Sequence, residues 1–291
     1  MKVHLVDGTF ELFRAHFTKR PPHRDPEGRD AKATQGILWS MLTLLKSPAE
    51  GATHLGVAFD NPIRSFRNEL YAGYKTEEGV AAELLAQFDR AEQGCAALGL
   101  VVWRMDRWEA DDALATAAAR FAPEVEQVRI LTPDKDLGQC IEGTRVVQVD
   151  VIRKRVVDET ALRARRGIGP SQIPDWLALV GDDADGYPGL PGFGEKTATA
   201  LLATFGHLEE IPLDSIRWPL GLRGSAILAA TLAARREEAL LYKKLATLVR
   251  DVPLPQQLGD LEWRGAPRER FEAFCAALGA PELRNQVPRW A

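Results

Sequence analysis

The chain has 291 residues, a net charge of −4 and an apolar share of 45%, enough for a sizeable core in one large or two small domains. It has no apolar run near the roughly 20 residues of a membrane-spanning helix. Its N-terminal apolar run is too short for a signal peptide, and its three cysteines are too far apart for a thiolate metal site. We therefore expect a reduced cytoplasmic protein that is neither secreted nor inserted in a membrane.

The predicted elements of the first half of the chain alternate between strands and helices. The strands cover residues 2–6, 54–59, 100–103 and 127–131, a hairpin pairs 145–149 with 155–157, and the helices cover 31–45 and 109–121. This alternation predicts an α/β fold with a mostly parallel twisted sheet flanked by helices. Between the first strand and the first of these helices, residues 18–30 are polar with two consecutive prolines, which indicates a mobile loop.

The second half of the chain contains only predicted helices. They cover residues 173–180, 196–205, 225–248 and 268–278. We therefore predict an α/β domain of residues 1–157 followed by a helical region of residues 158–291.

Three acidic residues come directly after predicted strands. They are Asp7, Asp60 and Asp134. Ligands of open parallel sheets bind beyond the carboxyl ends of the strands. A single Asp in such a place is usually a turn or cap residue, but three of them indicate a shared site.

Further acids cluster at three places. Glu109, Asp111 and Asp112 open a predicted helix, where acids stabilise the helix dipole, but three in four positions exceed what capping needs. Asp134 is followed by Asp136, and Asp182 stands three residues before Asp185, whereas the intervening Asp183 is expected to point elsewhere. The five histidines show no ligand spacing, so the site would be all-oxygen.

All-oxygen sites select hard cations, here Mg²⁺ or Mn²⁺. Two such ions can clamp the attacking and leaving oxygens of a phosphoryl displacement. The substrate is therefore expected to be a phosphate ester. A nucleic acid substrate remains possible despite the net charge of −4. Without the nine candidate acids the rest of the chain would be positively charged, so a basic surface can surround the acidic site.

Residues 189–197 contain several glycines and end in Glu195-Lys196-Thr197. A phosphate-binding P-loop needs Gly-Lys-Ser/Thr after a strand, whereas here Glu195 intervenes and a helix precedes. We therefore expect no nucleotide cofactor. The alternative is a helix, a tight glycine turn and a second helix, whose backbone N–H groups suit a DNA phosphate.

Together these motifs resemble the 5′-3′ exonuclease domain of bacterial DNA polymerase I, within the flap endonuclease superfamily. The motifs that carry the resemblance are Val6-Asp7-Gly8, Ala58-Phe59-Asp60, Ser65-Phe66-Arg67, Gly73-Tyr74-Lys75, Glu109-Ala110-Asp111-Asp112, Thr132-Pro133-Asp134-Lys135-Asp136, Gly181-Asp182-Asp183-Ala184-Asp185-Gly186 and Gly192-Phe193-Gly194-Glu195-Lys196-Thr197. They cover essentially the whole chain. No polymerase domain follows in this chain, so we expect a stand-alone form.

The resemblance implies a PIN-like nuclease core that cuts DNA at 5′ flaps and 5′ ends with two Mg²⁺ or Mn²⁺ ions. It implies first-site ligands Asp7, Asp60, Glu109, Asp111 and Asp112, and second-site ligands Asp134, Asp136, Asp182 and Asp185. It makes Lys75 and Arg14 catalytic, and it makes Arg67, Gly192, Gly194, Lys196 and Thr197 DNA contacts. A helical arch would span about residues 72–94, and a helix-hairpin-helix, at about 173–205, would hold K⁺.

The expected partner is a 5′ flap, nicked or 5′-ended duplex DNA, bound by a monomer. In place of an arginine common in the family after the Tyr-Lys pair, Glu77 and Glu78 follow Lys75, and they could pair with it. Two other functions remain alternatives. A metal-dependent small-molecule phosphohydrolase would not need the hairpin, and a non-catalytic DNA-structure binder would be expected to lack ligands.

Overall fold

A computed structural model describes residues 1–291. Its strands are β1 (Lys2–Asp7), β2 (His54–Asp60), β3 (Val101–Met105), β4 (Gln127–Leu131), β5 (Val146–Asp150) and β6 (Arg155–Val157). Its α-helices are α1 (Gly8–Phe17), α2 (Lys32–Lys46), α3 (Arg67–Leu70), α4 (Ala82–Leu85), α5 (Phe88–Ala97), α6 (Ala110–Phe121), α7 (Glu159–Arg166), α8 (Ile173–Val180), α9 (Glu195–Phe205), α10 (Ser225–Ala234), α11 (Arg236–Ala246) and α12 (Arg268–Leu278). No helix is long and apolar enough to cross a bilayer.

The residues group into two compact units. The sheet unit comprises residues 1–65, 77–132 and 249–291, and the helical unit comprises residues 66–76 and 133–248. Both units are discontinuous in sequence. The predicted division into domains of residues 1–157 and 158–291 stays a prediction.

The sheet unit contains four parallel strands in the order β3-β2-β1-β4. The central strand β1 is apolar along its length, and Val3, Leu5 and Val6 are fully buried. Burial of consecutive residues, on both faces of a strand, is typical of parallel sheets covered by helices. The four predicted strands are thus confirmed, and their carboxyl ends form one edge at which Asp7 and Asp60 lie.

The helical unit contains the antiparallel hairpin β5–β6 and a core built around α8. Ile173, Trp176 and Leu177 of α8 are buried in that core. The hairpin is confirmed, but the prediction of one helix over residues 225–248 is wrong. The backbone leaves helical geometry at Arg235, with φ −120° and ψ 26°, so the segment forms two helices, α10 and α11.

The segment of residues 18–30 forms no helix or named strand, and a buried carboxylate holds part of it in place. Asp25 accepts hydrogen bonds from the backbone N–H groups of Glu27 and Arg29, and it pairs with the side chains of Arg29 and Arg90. Burial alone would raise the pKa of Asp25, but the hydrogen bonds from Arg29 and Arg90 hold that pKa well below its usual range. Asp25 therefore carries the charge that ties this segment to α5.

His4, in the middle of β1, gives a testable dependence of stability on pH. Its imidazole is fully buried beside Glu50, with Arg129 and Lys2 nearby, and burial lowers its pKa from 6.5 to about 4. Between pH 6.5 and 4, His4 is therefore protonated in the unfolded chain but neutral in the folded protein. We expect the free energy of unfolding to fall on the order of 2 kcal/mol as pH falls through this window.

The measurement is the melting temperature by calorimetry between pH 7.5 and 4.5. A His4→Gln variant, which has no titrating group at this position, should show a shallower decline than the wild type above pH 5. An identical decline for both proteins would show that His4 does not set the acid sensitivity.

Candidate metal centre

Asp7 is held at the carboxyl end of β1 by two hydrogen bonds. Its Oδ1 accepts from the backbone N–H of Phe10 at 2.8 Å, which caps α1, and its Oδ2 accepts from the Thr132 hydroxyl at 3.0 Å. Helix α1 begins at once with Gly8, where a Cβ atom would lie 2.7 Å from the carbonyl oxygen of Ala58. Only glycine fits this close approach, so the local sequence fixes where the carboxylate lies.

Asp60 and Glu109 meet at the same edge of the sheet unit. Asp60 Oδ1 accepts from the backbone N–H of Ala110 at 2.7 Å, and Glu109 Oε1 accepts from the Ser65 hydroxyl at 2.6 Å. Both carboxylates are buried. The structure thus brings the end of β2 and the start of α6 together, as the parallel-sheet argument requires.

In the acidic first turn of α6, Asp112 is held in place by backbone hydrogen bonds. Asp112 is fully buried, and its two oxygens accept from the backbone N–H groups of Glu109 at 3.0 Å and Val249 at 2.9 Å. Each oxygen accepts a hydrogen bond and has a second lone pair, as is also true of Asp7, so the ligand role of Asp112 stays a prediction beside its contact with Glu109. Asp111 is half-buried in the same turn.

In the helical unit, Asp136, Asp182 and Asp185 form a compact acidic group. One carboxylate oxygen of each lies within 4.8 Å of the others. Asp134 stands beside the group and accepts from the backbone N–H of Asp136 at 2.9 Å. Burial, with the charges of Asp134, Asp185 and Asp182, raises the pKa of Asp136 well above its usual value, because like charges confined away from water repel.

Two lysines pair with this acidic group. The ammonium of Lys75 lies 3.0 Å from Asp185 Oδ1, and that of Lys135 lies 2.9 Å from Asp182 Oδ2. Gly186 permits the first pair, because its φ is +83° and a Cβ there would lie 2.2 Å from the carbonyl oxygen of Gly73. Lys135 was not predicted as a site residue, although its position between Asp134 and Asp136 was a signal.

Tyr187 is a second residue that sequence reasoning missed. It is fully buried and stacks on Tyr242, with ring centroids 5.6 Å apart, and its hydroxyl has no hydrogen-bond partner. Burial, together with the nearby charges of Asp136 and Asp185, raises its pKa. The sequence offered no signal for it beyond its place two residues after Asp185.

The acidic group of the helical unit has the chemistry expected of a metal site. Asp136 Oδ1, like the Tyr187 hydroxyl, is buried and has no hydrogen-bond partner. Such atoms are rare in folded proteins. Clustered carboxylate oxygens with spare acceptor capacity fit a hard divalent cation.

The predicted basic residues are placed differently from one another. Arg14 pairs with Glu11 and donates to the Ser40 hydroxyl at 2.9 Å, and its side chain is partly exposed. Arg67 is fully buried, and its guanidinium donates to the carbonyl oxygens of Leu245 at 2.8 Å and Thr247 at 3.1 Å. The guanidinium of Arg67 thus binds carbonyl oxygens at the end of α11, and its contact with DNA stays a prediction.

The predicted helix, glycine turn and helix are present in the helical unit. α8 and α9 are joined by a turn in which Gly189 and Gly192 have φ values of +68° and +84°. Gly192, Gly194 and Lys196 are exposed, and Thr197 is half-buried. A helix rather than a strand precedes the turn, so the segment is not a P-loop. Its contact with DNA stays a prediction, as does the arch at residues 72–94.

Comparison with known proteins agrees with these motifs. A family model for the N-terminal resolvase-like domain of 5′-3′ exonucleases matches residues 2–167, and one for their C-terminal SAM fold matches residues 168–269. The chain belongs to the 5′-3′ exonuclease family. The predicted resemblance and the α/β fold class with its helical C-terminal region are confirmed, and the chain is a nuclease of this family.

Relatives of this exonuclease include DNA polymerase I of Bacillus caldotenax, 36% identical over 284 residues, and of Pseudomonas aeruginosa, 35% identical over 285 residues. The alignments cover 96% and 97% of the chain but only 31% and 30% of those proteins. The chain therefore spans about a third of the length of the curated relatives that it matches.

Solved structures with the same fold include bacteriophage and Rad2 nucleases. A T5 5′-exonuclease with bound zinc has a TM-score of 0.68 at 20% identity, and the match covers 84% of this chain and 89% of the T5 chain. The catalytic core of Rad2 in complex with DNA substrate has a TM-score of 0.61 at 16% identity, and the match covers 98% of this chain and 90% of the Rad2 chain. At these identities the likeness concerns the fold.

Proposed function

We propose that this chain is a structure-specific 5′ nuclease that hydrolyses phosphodiester bonds at 5′ flaps and 5′ ends of DNA with Mg²⁺ or Mn²⁺. The observation that carries the proposal is the group of Asp136, Asp182 and Asp185, with its oxygens within 4.8 Å of one another. The T5 flap endonuclease in a pseudo-enzyme-product complex with DNA and metal ions, and the Rad2 core with DNA substrate, support the same substrate class.

In this proposal each unit contributes a set of metal-binding carboxylates. The sheet unit offers Asp7, Asp60, Glu109, Asp111 and Asp112, and the helical unit offers Asp134, Asp136, Asp182 and Asp185. Bound divalent ions would supply charge stabilisation and a nucleophilic water. Hydrogen bonds from the backbone N–H groups of Phe10 and Ala110 hold Asp7 and Asp60 in place, and the Ser65 hydroxyl holds Glu109.

The exposed glycine turn between α8 and α9 would bind duplex DNA. Gly194 caps α9 without a side-chain hydrogen bond, so the first N–H groups of that helix are available to a phosphate. Lys196, exposed in the first turn, would add positive charge. We propose that Gly192, Gly194, Lys196 and Thr197 form this contact, with K⁺ as a candidate ion at the turn.

Cleavage of an end-labelled flap duplex tests the proposal. We expect Mg²⁺ or Mn²⁺ to support short 5′ products on a gel, EDTA to abolish them, and Ca²⁺, whose coordination is looser, to give none. Full activity in excess EDTA would contradict the metal mechanism. Faster turnover of a chromogenic phosphomonoester than of the flap would favour a small-molecule phosphohydrolase instead.

A further inference from the structure

A basic cleft opens in the helical unit, where the end of α7 lies beside the beginning of α9. Its volume is about 460 Å³, and its lining includes Arg165, Arg166, Trp176, Glu195 and Lys196. Thr199 of α9 ties the two helices together by donating its hydroxyl to the carbonyl oxygen of Arg166 at 3.3 Å. Helix α7 ends at Gly167, whose φ of +72° and lack of a Cβ allow α9 to approach.

The lining of this cleft contains more cations than acids. Arg165, Arg166 and Lys196 form no ion pair, and Glu195 is the only acid in the lining, so the cleft carries net positive charge. By contrast, Arg163 of the same helix pairs with Glu159 at 2.8 Å. The three arginines at the end of α7 stabilise its dipole, but that role does not explain why two of them face another helix.

Arg166 is held in a defined position at the floor of the cleft. Its guanidinium lies 4.9 Å from the ring centroid of Trp176, an arrangement that fixes the planar group and leaves its N–H edges for a ligand. Burial lowers the pKa of Arg166 and the charge of Arg165 adds to this effect, whereas the charges of nearby acids raise it; these acids are Glu195, Asp136 and Asp134. Within the lining itself the three cations outnumber the single acid, so the cleft still favours an anion.

We propose that the basic cleft binds a phosphate of the duplex DNA backbone, next to the phosphate that the α8–α9 turn would hold. The inference rests on the proposed nuclease function and extends its DNA-binding surface to α7. Lys196 belongs to both features, since it lines the cleft and lies two residues after Gly194. Arginine forks bind phosphate oxygens in bidentate geometry, and continuity with the turn makes duplex DNA the occupant.

Binding of a labelled flap duplex in EDTA tests the cleft without cleavage. We expect the Arg165→Ala/Arg166→Ala double variant to bind about 10-fold more weakly near 0.1 M salt and to lower the slope of log K against log salt by about one or more. Arg163→Ala, on the same helix, should stay within about twofold of the wild type.

Wild-type affinity and salt slope in the double variant would overturn the proposal. An equal loss in Arg163→Ala would overturn it too, because the effect would then come from general charge. Circular dichroism melting checks that the double variant is folded. If it is not, Arg165→Glu, at an exposed position, gives the same test with a larger expected loss. If the wild type bound duplex DNA but did not cleave it, the nuclease function would fail while this binding comparison still decided the cleft.

Discussion

Replacing Asp136 by asparagine is expected to reduce the single-turnover cleavage rate at saturating DNA by about 10²-fold or more. The amide keeps the shape of the carboxylate but removes its negative charge, and loss of one strong electrostatic group typically costs this much. Asp136 is buried, and one of its carboxylate oxygens lies within 4.8 Å of carboxylate oxygens of Asp182 and Asp185. Quenched-flow cleavage of a labelled flap in Mg²⁺ measures the effect.

The same substitution should change stability in the opposite direction. Asp136 is confined beside Asp134, Asp182 and Asp185, and this repulsion raises its pKa. Neutralising it removes that repulsion, so we expect Asp136→Asn to melt at a higher temperature than the wild type in EDTA. Mg²⁺ should stabilise the wild type more than the variant, because binding to the folded state alone adds stability.

Asp183→Asn provides the matched control, since Asp183 lies in the same acidic segment but is exposed and outside the group. It should leave the rate within about twofold and the Mg²⁺-dependent stabilisation unchanged. A wild-type rate in Asp136→Asn at equal Mg²⁺ would remove Asp136 from the metal centre.

The strands and the acids at their ends were predictable from the sequence. Buried parallel strands have continuous apolar runs, so β1, β2 and β4 could be located to within a residue or two, and Asp7 and Asp60 followed directly. The glycine turn between α8 and α9 was predictable for a similar reason, because glycine spacing marks positive φ values. The strands, the acids at their ends and the glycine turn could be predicted because each is determined by residues that are adjacent in the sequence.

The partners of several other residues could not be predicted, because they are distant in the sequence. Arg67 looks like a surface cation in its motif, but it is buried against carbonyl oxygens of residues 245 and 247. Asp112 is a predicted metal ligand, and the hydrogen bond that its carboxylate accepts from the backbone N–H of Val249 was not predictable. Tyr187 reads as an ordinary aromatic, and only its burial near Asp136 and Asp185 relates it to the site. Sequence spacing carries no information about such long-range contacts.

Lys75 is the predicted catalytic residue whose surroundings are now best defined. Its ammonium lies 3.0 Å from Asp185 Oδ1, and its backbone N–H donates to the Asp185 carbonyl oxygen at 3.0 Å. The side chain is 23% exposed, so a substrate phosphate can still reach it. Glu77 pairs with Arg64 and accepts from the backbone N–H of Ile63. The structure therefore gives Glu77 partners other than Lys75.

Two roles for Lys75 make different predictions. If it only neutralises Asp185, its removal should raise the apparent affinity for Mg²⁺ and leave the maximal rate unchanged. If its ammonium also stabilises the scissile phosphate as negative charge develops, its removal should lower the rate even at saturating Mg²⁺ and DNA. A positive charge whose interaction with the phosphate strengthens in the transition state affects the cleavage rate more than the DNA affinity.

We expect the second outcome: Lys75→Ala should cleave a saturating flap about 10²-fold more slowly in single turnover, with DNA affinity changed only a few-fold. Lys75→Arg should restore the rate in part, because its planar fork cannot reproduce a compact ammonium beside Asp185. Lys244→Ala is the control, since Lys244 is exposed in the same unit and forms no ion pair. The rates are measured at saturating Mg²⁺, so that competition between lysine and metal for Asp185 no longer contributes. If Lys75→Ala cleaves at the wild-type rate under these conditions, Lys75 does not stabilise the scissile phosphate, and its role is limited to the ion pair with Asp185.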